Sequence, residues 1–182
     1  MLFIMRHGKT DWNAMHKLQG RTDVPLNEEG RKMAREAHDR YPDVPIDVCF
    51  CSPLVRARET AELFLKDRNI PIYYDERLQE MSFGEFEGME NTFDDPNCAI
   101  NVLFQHPEKY VTSIGGAETF EELYARTGEF LQEKVEPLLQ QGKTVLIVGH
   151  GAMNCSIVCQ VKGLPIEKFW SEGIEQCRLM EL

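Results

Sequence analysis

Four side chains in this sequence are of types that handle anions: Arg6, His7, Arg56 and His150. Gathered at one point, two guanidiniums and two imidazoles make an anion trap. The Arg fork matches phosphate geometry and keeps its charge across physiological pH. Neutral imidazole is a nucleophile that can carry a phosphoryl group, which splits one difficult transfer into two easier ones. His7 adjoins Arg6, and cationic neighbours favour its neutral form. The segment Leu78-Gln79-Glu80-Met81-Ser82-Phe83-Gly84 sets the Glu80 carboxyl among apolar residues, a setting that suits a general acid. Glu76, Glu85 and Glu87 compete with Glu80 for that role, as Arg31 and Arg58 compete with Arg56.

These groups are far apart in the chain, so the fold has to gather them. Residues 2–5 form an apolar run that stops at Arg6-His7-Gly8, the pattern of a buried strand meeting a loop. Residues 48–51 predict a second strand. Ser52-Pro53 after it reads as a cap followed by Pro at the first position of the helix that carries Arg56. Residues 70–74 predict a third strand, upstream of Glu80. Residues 144–148 are nearly all apolar and β-branched, as in a strand covered on both faces. Gly149-His150-Gly151 and a helix through Val158 follow, and residues 176–182 predict a last strand. Asn27 caps a helix with Met33, Ala34, Ala37 and Tyr41 on one face. Phe120, Leu123, Thr127, Phe130, Val135 and Leu138 mark a long helix that Pro137 should kink.

Strands alternating with helices predict an α/β fold, a three-layer sandwich with a mostly parallel central sheet flanked by helices. In such sheets ligands bind beyond the carboxyl ends of the strands. By that rule Arg6-His7, Ser52 to Arg56 and Gly149-His150-Gly151 converge on one edge. Residues 84–116 are poorly periodic and carry Pro96, Pro107, Gly115 and Gly116. They predict a cap-like excursion with one short helix near 102–106, from which Phe86, Phe93, Phe104 and Tyr110 would meet the substrate's leaving group.

The chain has 182 residues, 42% of them hydrophobic and 27% charged, which suits one domain of 1–182 and excludes wholesale disorder. Its net charge of −10 opposes binding to nucleic acid or anionic membranes. A compact cationic cluster still governs its own surroundings, because distant charges are screened beyond about 8 Å. The apolar start is too short for a signal peptide and no run reaches the roughly 20 residues of a membrane span, so a cytoplasmic location is expected. The 6 Cys then read as reduced, small buried hydrophobes. Neither Cys49 with Cys51 nor Cys155 with Cys159 has the spacing of a structural zinc site.

Five segments, in order, resemble the motifs of the histidine phosphatase superfamily, the phosphoglycerate mutase-like proteins. They are Met5-Arg6-His7-Gly8-Lys9-Thr10 with Trp12-Asn13; Gly20-Arg21-Thr22-Asp23-Val24-Pro25-Leu26 with Gly30; Ser52-Pro53-Leu54-Val55-Arg56-Ala57-Arg58-Glu59-Thr60-Ala61; Glu80 with Phe83-Gly84 and Glu87-Gly88; and Val148-Gly149-His150-Gly151. The stretch from 90 to 115 matches no motif. The resemblance implies a phosphoglycerate mutase-like fold and assigns roles. His7 is the phosphorylated nucleophile. Arg6, Arg56 and His150 grip the phosphoryl oxygens, and Thr10, Asn13 and the Gly151 N–H add hydrogen bonds. Glu80 protonates the leaving oxygen and then activates water. No metal and no cofactor are implied. Lys9 and Arg21 are candidate substrate contacts. Glu118, after Gly115-Gly116-Ala117, is either a residue near the site or a first-turn helix acid.

Three activities fit these residues: a phosphomonoesterase acting on a small phosphorylated metabolite, a phosphoglycerate mutase-type phosphoryl transferase, and a phospho-ligand binder without turnover. By the resemblance, mutases of the family are expected to carry a C-terminal tail over the site, and residues 176–182 are expected to form a strand instead, which favours the phosphatase. The second and fourth motifs also look more like the phosphatase branch. The leaving group stays open among a sugar, a nucleoside and a short acid.

Overall fold

A computed structural model describes residues 1–182. In chain order the elements are β1 (Leu2–Arg6), α1 (Asp11–Ala14), α2 (Glu28–Arg40), β2 (Val48–Cys51), α3 (Val55–Phe64), β3 (Ile72–Tyr74), α4 (Asn101–Gln105), α5 (Phe120–Phe130), α6 (Glu136–Gln140), β4 (Val145–Gly149), α7 (Gly151–Lys162) and β5 (Leu179–Glu181). The strands form one sheet in the order β3-β2-β4-β1-β5. All neighbours run parallel except β5, which returns antiparallel along β1.

The sheet is the middle of three layers, because alternate side chains of each strand feed opposite cores. From β2, Val48 and Phe50 join one cluster while Cys49 and Cys51 join the other. From β4, Val145 and Ile147 face one way and Leu146 and Val148 the other. Every residue of β4 is buried, as its unbroken apolar run predicts. The larger cluster takes in Leu123 and Phe130 of α5 and Ile157 and Val158 of α7. The smaller takes in Ala34 and Ala37 of α2 and Ala57, Ala61 and Phe64 of α3. Their small residues let α2 and α3 lie close against the sheet.

The structure corrects one local expectation and details another. Ser52-Pro53 does not cap α3. The helix starts at Val55, and Leu54 at its N-cap makes no side-chain hydrogen bond. The open first-turn donor is met from a distant loop instead, where Asp23 Oδ1 accepts from the Val55 N–H at 2.8 Å. At Pro137 a wide turn over Leu131–Val135 joins α5 to α6, with Glu136 N–H donating five residues back to the Leu131 carbonyl. Pro137 then enters the first turn of α6, where its missing N–H costs little. The excursion's short helix lies at Asn101–Gln105.

The loop after β1 is pressed onto the start of α2. A Cβ on Gly8 would sit 2.6 Å from the Gly30 carbonyl oxygen, and one on Gly30 would meet the Lys9 backbone. Both obstacles are main chain and cannot rotate away. Ala ordinarily gains up to about 1 kcal/mol over Gly inside a helix. Overpacking of this kind costs about 1–3 kcal/mol and should reverse the sign. Gly30→Ala is therefore expected to lower the urea midpoint; a raised midpoint would refute the close approach.

Candidate active site

The carboxyl ends of three adjacent strands, β2, β4 and β1, deliver Ser52, His150 and Arg6-His7 to one edge. The His7 N–H donates to the Gly149 carbonyl at 2.9 Å, and Asn154 Nδ2 donates to the Met5 carbonyl at 3.1 Å. These bonds lock the turn after β1 to the turn after β4. Thr60 of α3 links the same turn to the third motif. It accepts from the Gly8 N–H at 3.0 Å and donates to the Arg56 carbonyl at 2.7 Å.

His7 is 2% exposed, and its ring centroid lies 5.3 Å from that of His150. Its Nδ1 lies 2.7 Å from the Gly8 carbonyl oxygen. A carbonyl only accepts, so Nδ1 carries the hydrogen and Nε2 of the neutral ring keeps its lone pair. Burial, and then Arg56 and Arg6, hold the His7 pKa well below the usual imidazole value. His150 is fully buried, with Nε2 2.7 Å from Ser52 Oγ. That hydroxyl also accepts from the Leu54 N–H at 3.3 Å, and since a hydroxyl both donates and accepts, either tautomer of His150 fits the contact. Nδ1 of His150 has no partner within the chain. Burial, followed by Arg56 and His7, also pushes the His150 pKa well down.

Arg56 is buried, Arg6 is half-buried, and both donate to main-chain carbonyls. Arg56 donates to Thr22 O at 2.9 Å and to Gly20 O at 2.6 Å, and Arg6 donates to Ile174 O at 3.4 Å. The Nε of each has no partner in the chain. Burial lowers the Arg56 pKa to about 10, so the group remains a cation at neutral pH. The competing arginines are elsewhere: Arg31 pairs with Glu59 at 3.0 Å, and Arg58 lies over the Tyr74 ring at 5.1 Å.

Glu80 is the carboxylate that the fold selects. Glu76 and Glu85 are exposed. Glu87 instead organises the second motif, accepting from the N–H groups of Arg21, Thr22 and Phe83. The setting of Glu80 differs from the apolar one its neighbours in sequence suggest. Its oxygens accept from the N–H groups of Met81 at 2.8 Å, Ala152 at 3.2 Å and Met153 at 2.9 Å. The start of α7 thus holds the carboxylate close to Arg6; a Cβ on Gly151 would lie 3.7 Å from both the Arg6 guanidinium and Glu80 Oε2.

Arg6, His7, Asn13, Arg56, Glu80 and Gly151 line one cavity of about 380 Å³. Other expected contacts lie outside its lining, the fully buried His150 among them. Thr10 is fully buried and caps α1 with Asn13, its hydroxyl 2.8 Å from Gln19 Oε1, so it positions the cavity wall without reaching into it. Lys9 turns away and pairs with Glu29 at 3.0 Å. Arg21 lies behind the Glu80 main chain, donating to the Glu80 carbonyl at 3.3 Å. Phe86 and Tyr110 are buried in the core, and of the excursion's aromatics only Phe93 and Phe104 reach the cavity. Trp170, which reads as a packing residue in sequence, also lines it. A second depression of about 750 Å³ beside β3 holds three carboxylates that are already paired, Asp47 with Lys143 and both Asp75 and Glu133 with Arg77.

Glu118 belongs neither to the cavity wall nor to the first turn of α5. It grips Arg126 through two contacts, at 2.6 and 3.0 Å. Arg126 in turn donates to the carbonyls of Arg77, Gln79 and Glu80 at 2.6, 2.8 and 3.2 Å. This buried clasp fixes the segment that presents Glu80, and no short-range sequence pattern marks it. The role of Ser52 was equally hidden, although the residue stands inside a recognised motif. Arg126→Ala removes two hydrogen bonds to Glu118, which keeps the Ser82 N–H at 3.1 Å and Arg21 at 3.6 Å, and is expected to cost about 1–3 kcal/mol in urea unfolding. Lys9→Ala, which removes an exposed pair, should cost about 1 kcal/mol or less. Equal losses would show that the clasp is an ordinary surface bridge.

The profile of the histidine phosphatase superfamily (branch 1) matches residues 2–182. The chain is 31% identical over 180 residues to 2,3-bisphosphoglycerate-dependent phosphoglycerate mutase 2 of Gloeobacter violaceus, covering 97% of this chain and 82% of the relative. It is 34% identical over 161 residues to the uncharacterized phosphatase PhoE of Bacillus subtilis, covering 88% and 76%. The solved structure of Bacillus stearothermophilus YhfR superposes with a TM-score of 0.86 at 33% identity, covering 98% and 88%. With its motifs in order on this sheet and the profile matched across its length, the chain belongs to the histidine phosphatase superfamily.

Proposed function

We propose that this protein is a phosphomonoesterase that hydrolyses small phosphorylated metabolites through a phosphohistidine on His7. One observation carries the reading: Arg6 Nε, Arg56 Nε and His150 Nδ1 are buried nitrogens without a partner in the chain, and all belong to side chains that surround His7. Buried donors are rarely left unpaired, since each costs about 1–3 kcal/mol. A phosphoryl group at His7 Nε2 would satisfy all three.

His7 Nε2 attacks phosphorus and the bond to the ester oxygen breaks. Glu80 protonates the departing oxygen. The resulting carboxylate then takes a proton from water, the water oxygen attacks phosphorus, and the bond to Nε2 breaks, restoring His7 and releasing phosphate. Arg6 and Arg56 keep charge near the phosphoryl oxygens throughout, and His150, in the tautomer protonated on Nδ1, adds a neutral donor. This division agrees with the view that phosphoryl transfer depends mainly on positioning and electrostatic stabilisation. Glu118 and Arg126 act only through the main chain of Glu80. Residues 84–116 serve as a cap that meets the leaving group through Phe93 and Phe104.

Phosphate release from p-nitrophenyl phosphate in excess EDTA tests the reading. Turnover by the native protein and its loss in His7→Ala are expected. Turnover that survives His7→Ala would rule out His7 as the nucleophile. No turnover by the native protein, with phosphoryl exchange among phosphoglycerates, would assign the mutase reaction instead.

The pH profile supplies a second check. His7 attacks as the neutral base, and its pKa lies below the usual imidazole value, so it stays unprotonated as pH falls through the ordinary range. The specificity constant kcat/KM is therefore expected not to fall between pH 8 and about 6.5, since His7 stays neutral there and lower pH favours the protonated Glu80 that the first step uses. A loss centred near pH 6.5 would mean that His7 titrates as an exposed histidine does.

A further inference from the structure

The cavity has two unlike ends. The phosphate-binding end carries Arg6, Arg56 and Glu80. An apolar part of the wall is built from Leu18, Phe83, Phe93, Phe104, Trp170 and Ile174, with Asn13, Lys17 and Gln19 among its polar remainder. Its aromatic members form one connected surface. The Phe104 centroid lies 4.6 Å from that of Phe93, 5.5 Å from Trp170 and 5.8 Å from Phe83. Trp170 donates its indole N–H to the Leu103 carbonyl at 2.9 Å, so the ring has no donor left for a ligand. Phe93, Phe104 and Trp170 are only partly buried, and their free surface faces solvent or ligand.

The remaining polar lining does not suit a second anion or a polyol. Lys17, the one cation besides Arg6 and Arg56, lies 4.0 Å from Glu90 and over the Trp12 ring. Asn13 Oδ1 and Gln19 Oε1 already accept hydrogen bonds from within the chain, so neither is free to accept from a leaving-group hydroxyl. A carboxylate or a row of hydroxyls against the aromatic wall would lose its hydration without gaining partners. A flat apolar body would gain burial and ring contacts.

Resting on the phosphatase reading above, we infer that the preferred substrates are monophosphate esters whose leaving group is an uncharged, apolar body, aromatic or bulky, with no second phosphate and no carboxylate. The phosphoryl group is held by Arg6, Arg56 and His150, and the leaving group lies against Phe93, Phe104 and Trp170. Discrimination comes from the wall; the bond-breaking residues are the same for every ester.

The test compares 2-phenylethyl phosphate with glycerol 3-phosphate and 3-phosphoglycerate. All three release alkyl alcohols, so the comparison reads the wall rather than the reactivity of the ester. For the native protein, kcat/KM for the phenylethyl ester is expected to exceed the other two by about 100-fold, within the range that hydrophobic pockets achieve. In Phe104→Ala that ratio should fall about tenfold or more, mostly through KM, and Phe104→Leu should restore much of it. The ratio within one preparation is independent of the folded fraction, so partial unfolding cannot imitate the result. A native ratio near one, with p-nitrophenyl phosphate turned over and His7→Ala inactive, would overturn the inference and leave the phosphatase reading intact. A high ratio unchanged in both Phe104→Ala and Trp170→Ala would also overturn it. No hydrolysis of any ester would overturn both.

Discussion

The structure depends on one electrostatic constraint: two guanidinium groups and two imidazoles are packed side by side, largely out of water, with one carboxylate, Glu80, among them. Like charges withdrawn from water repel strongly, and desolvation adds to the cost. The fold meets this in two ways. It keeps both imidazoles neutral through burial and the nearby arginines. It also surrounds the guanidiniums with main-chain carbonyls from Gly20, Thr22 and Ile174. Those carbonyls come from loops with no regular structure. The second motif and the turn near Ile174 are therefore parts of the cation-holding machinery.

The carboxylate imposes the complementary demand. Glu80 has to stand beside Arg6 without closing the site as a fixed ion pair. Three N–H groups, two of them at the start of α7, hold its oxygens. The Glu118–Arg126 clasp holds its main chain from behind. On the proposed reading, a general-acid carboxyl fixed at both ends spends little entropy on orientation when a substrate arrives. The same economy appears at His7, where one hydrogen bond to the Gly8 carbonyl selects the tautomer.

Much of this was legible in the chain. The apolar runs of β1, β2 and β4 and the helical spacing between them predict a mostly parallel sheet, and the carboxyl-end rule then brings Arg6, His7, Arg56 and His150 together. Asn27 as a cap and the face of Ala34 and Ala37 on α2 stand as read. These features are local: they follow from periodicity and from what one residue can do for its own turn. The start of α3 was misread for an equally physical reason. Ser52 has the chemistry of a cap, but His150 uses its hydroxyl, and Asp23 supplies the missing acceptor from across the fold. Thr10, Lys9 and Arg21 were placed with the substrate on motif membership alone. Their charges and hydroxyls meet partners within the chain first.

The sequence by itself determined which chemistry is available: a neutral imidazole among permanent cations, a carboxyl nearby, and a sheet to gather them. Residue types and short-range spacing suffice for that, because strand and helix periods are local properties of the chain. Only the tertiary structure decided which carboxylate stands at the site, which ring nitrogen is free, and which aromatics form the wall. Those choices rest on contacts between residues far apart in sequence, such as His150 with Ser52, Arg126 with Glu80 and Trp170 with Phe104. No local pattern encodes such pairs, because their geometry exists only once the layers have packed.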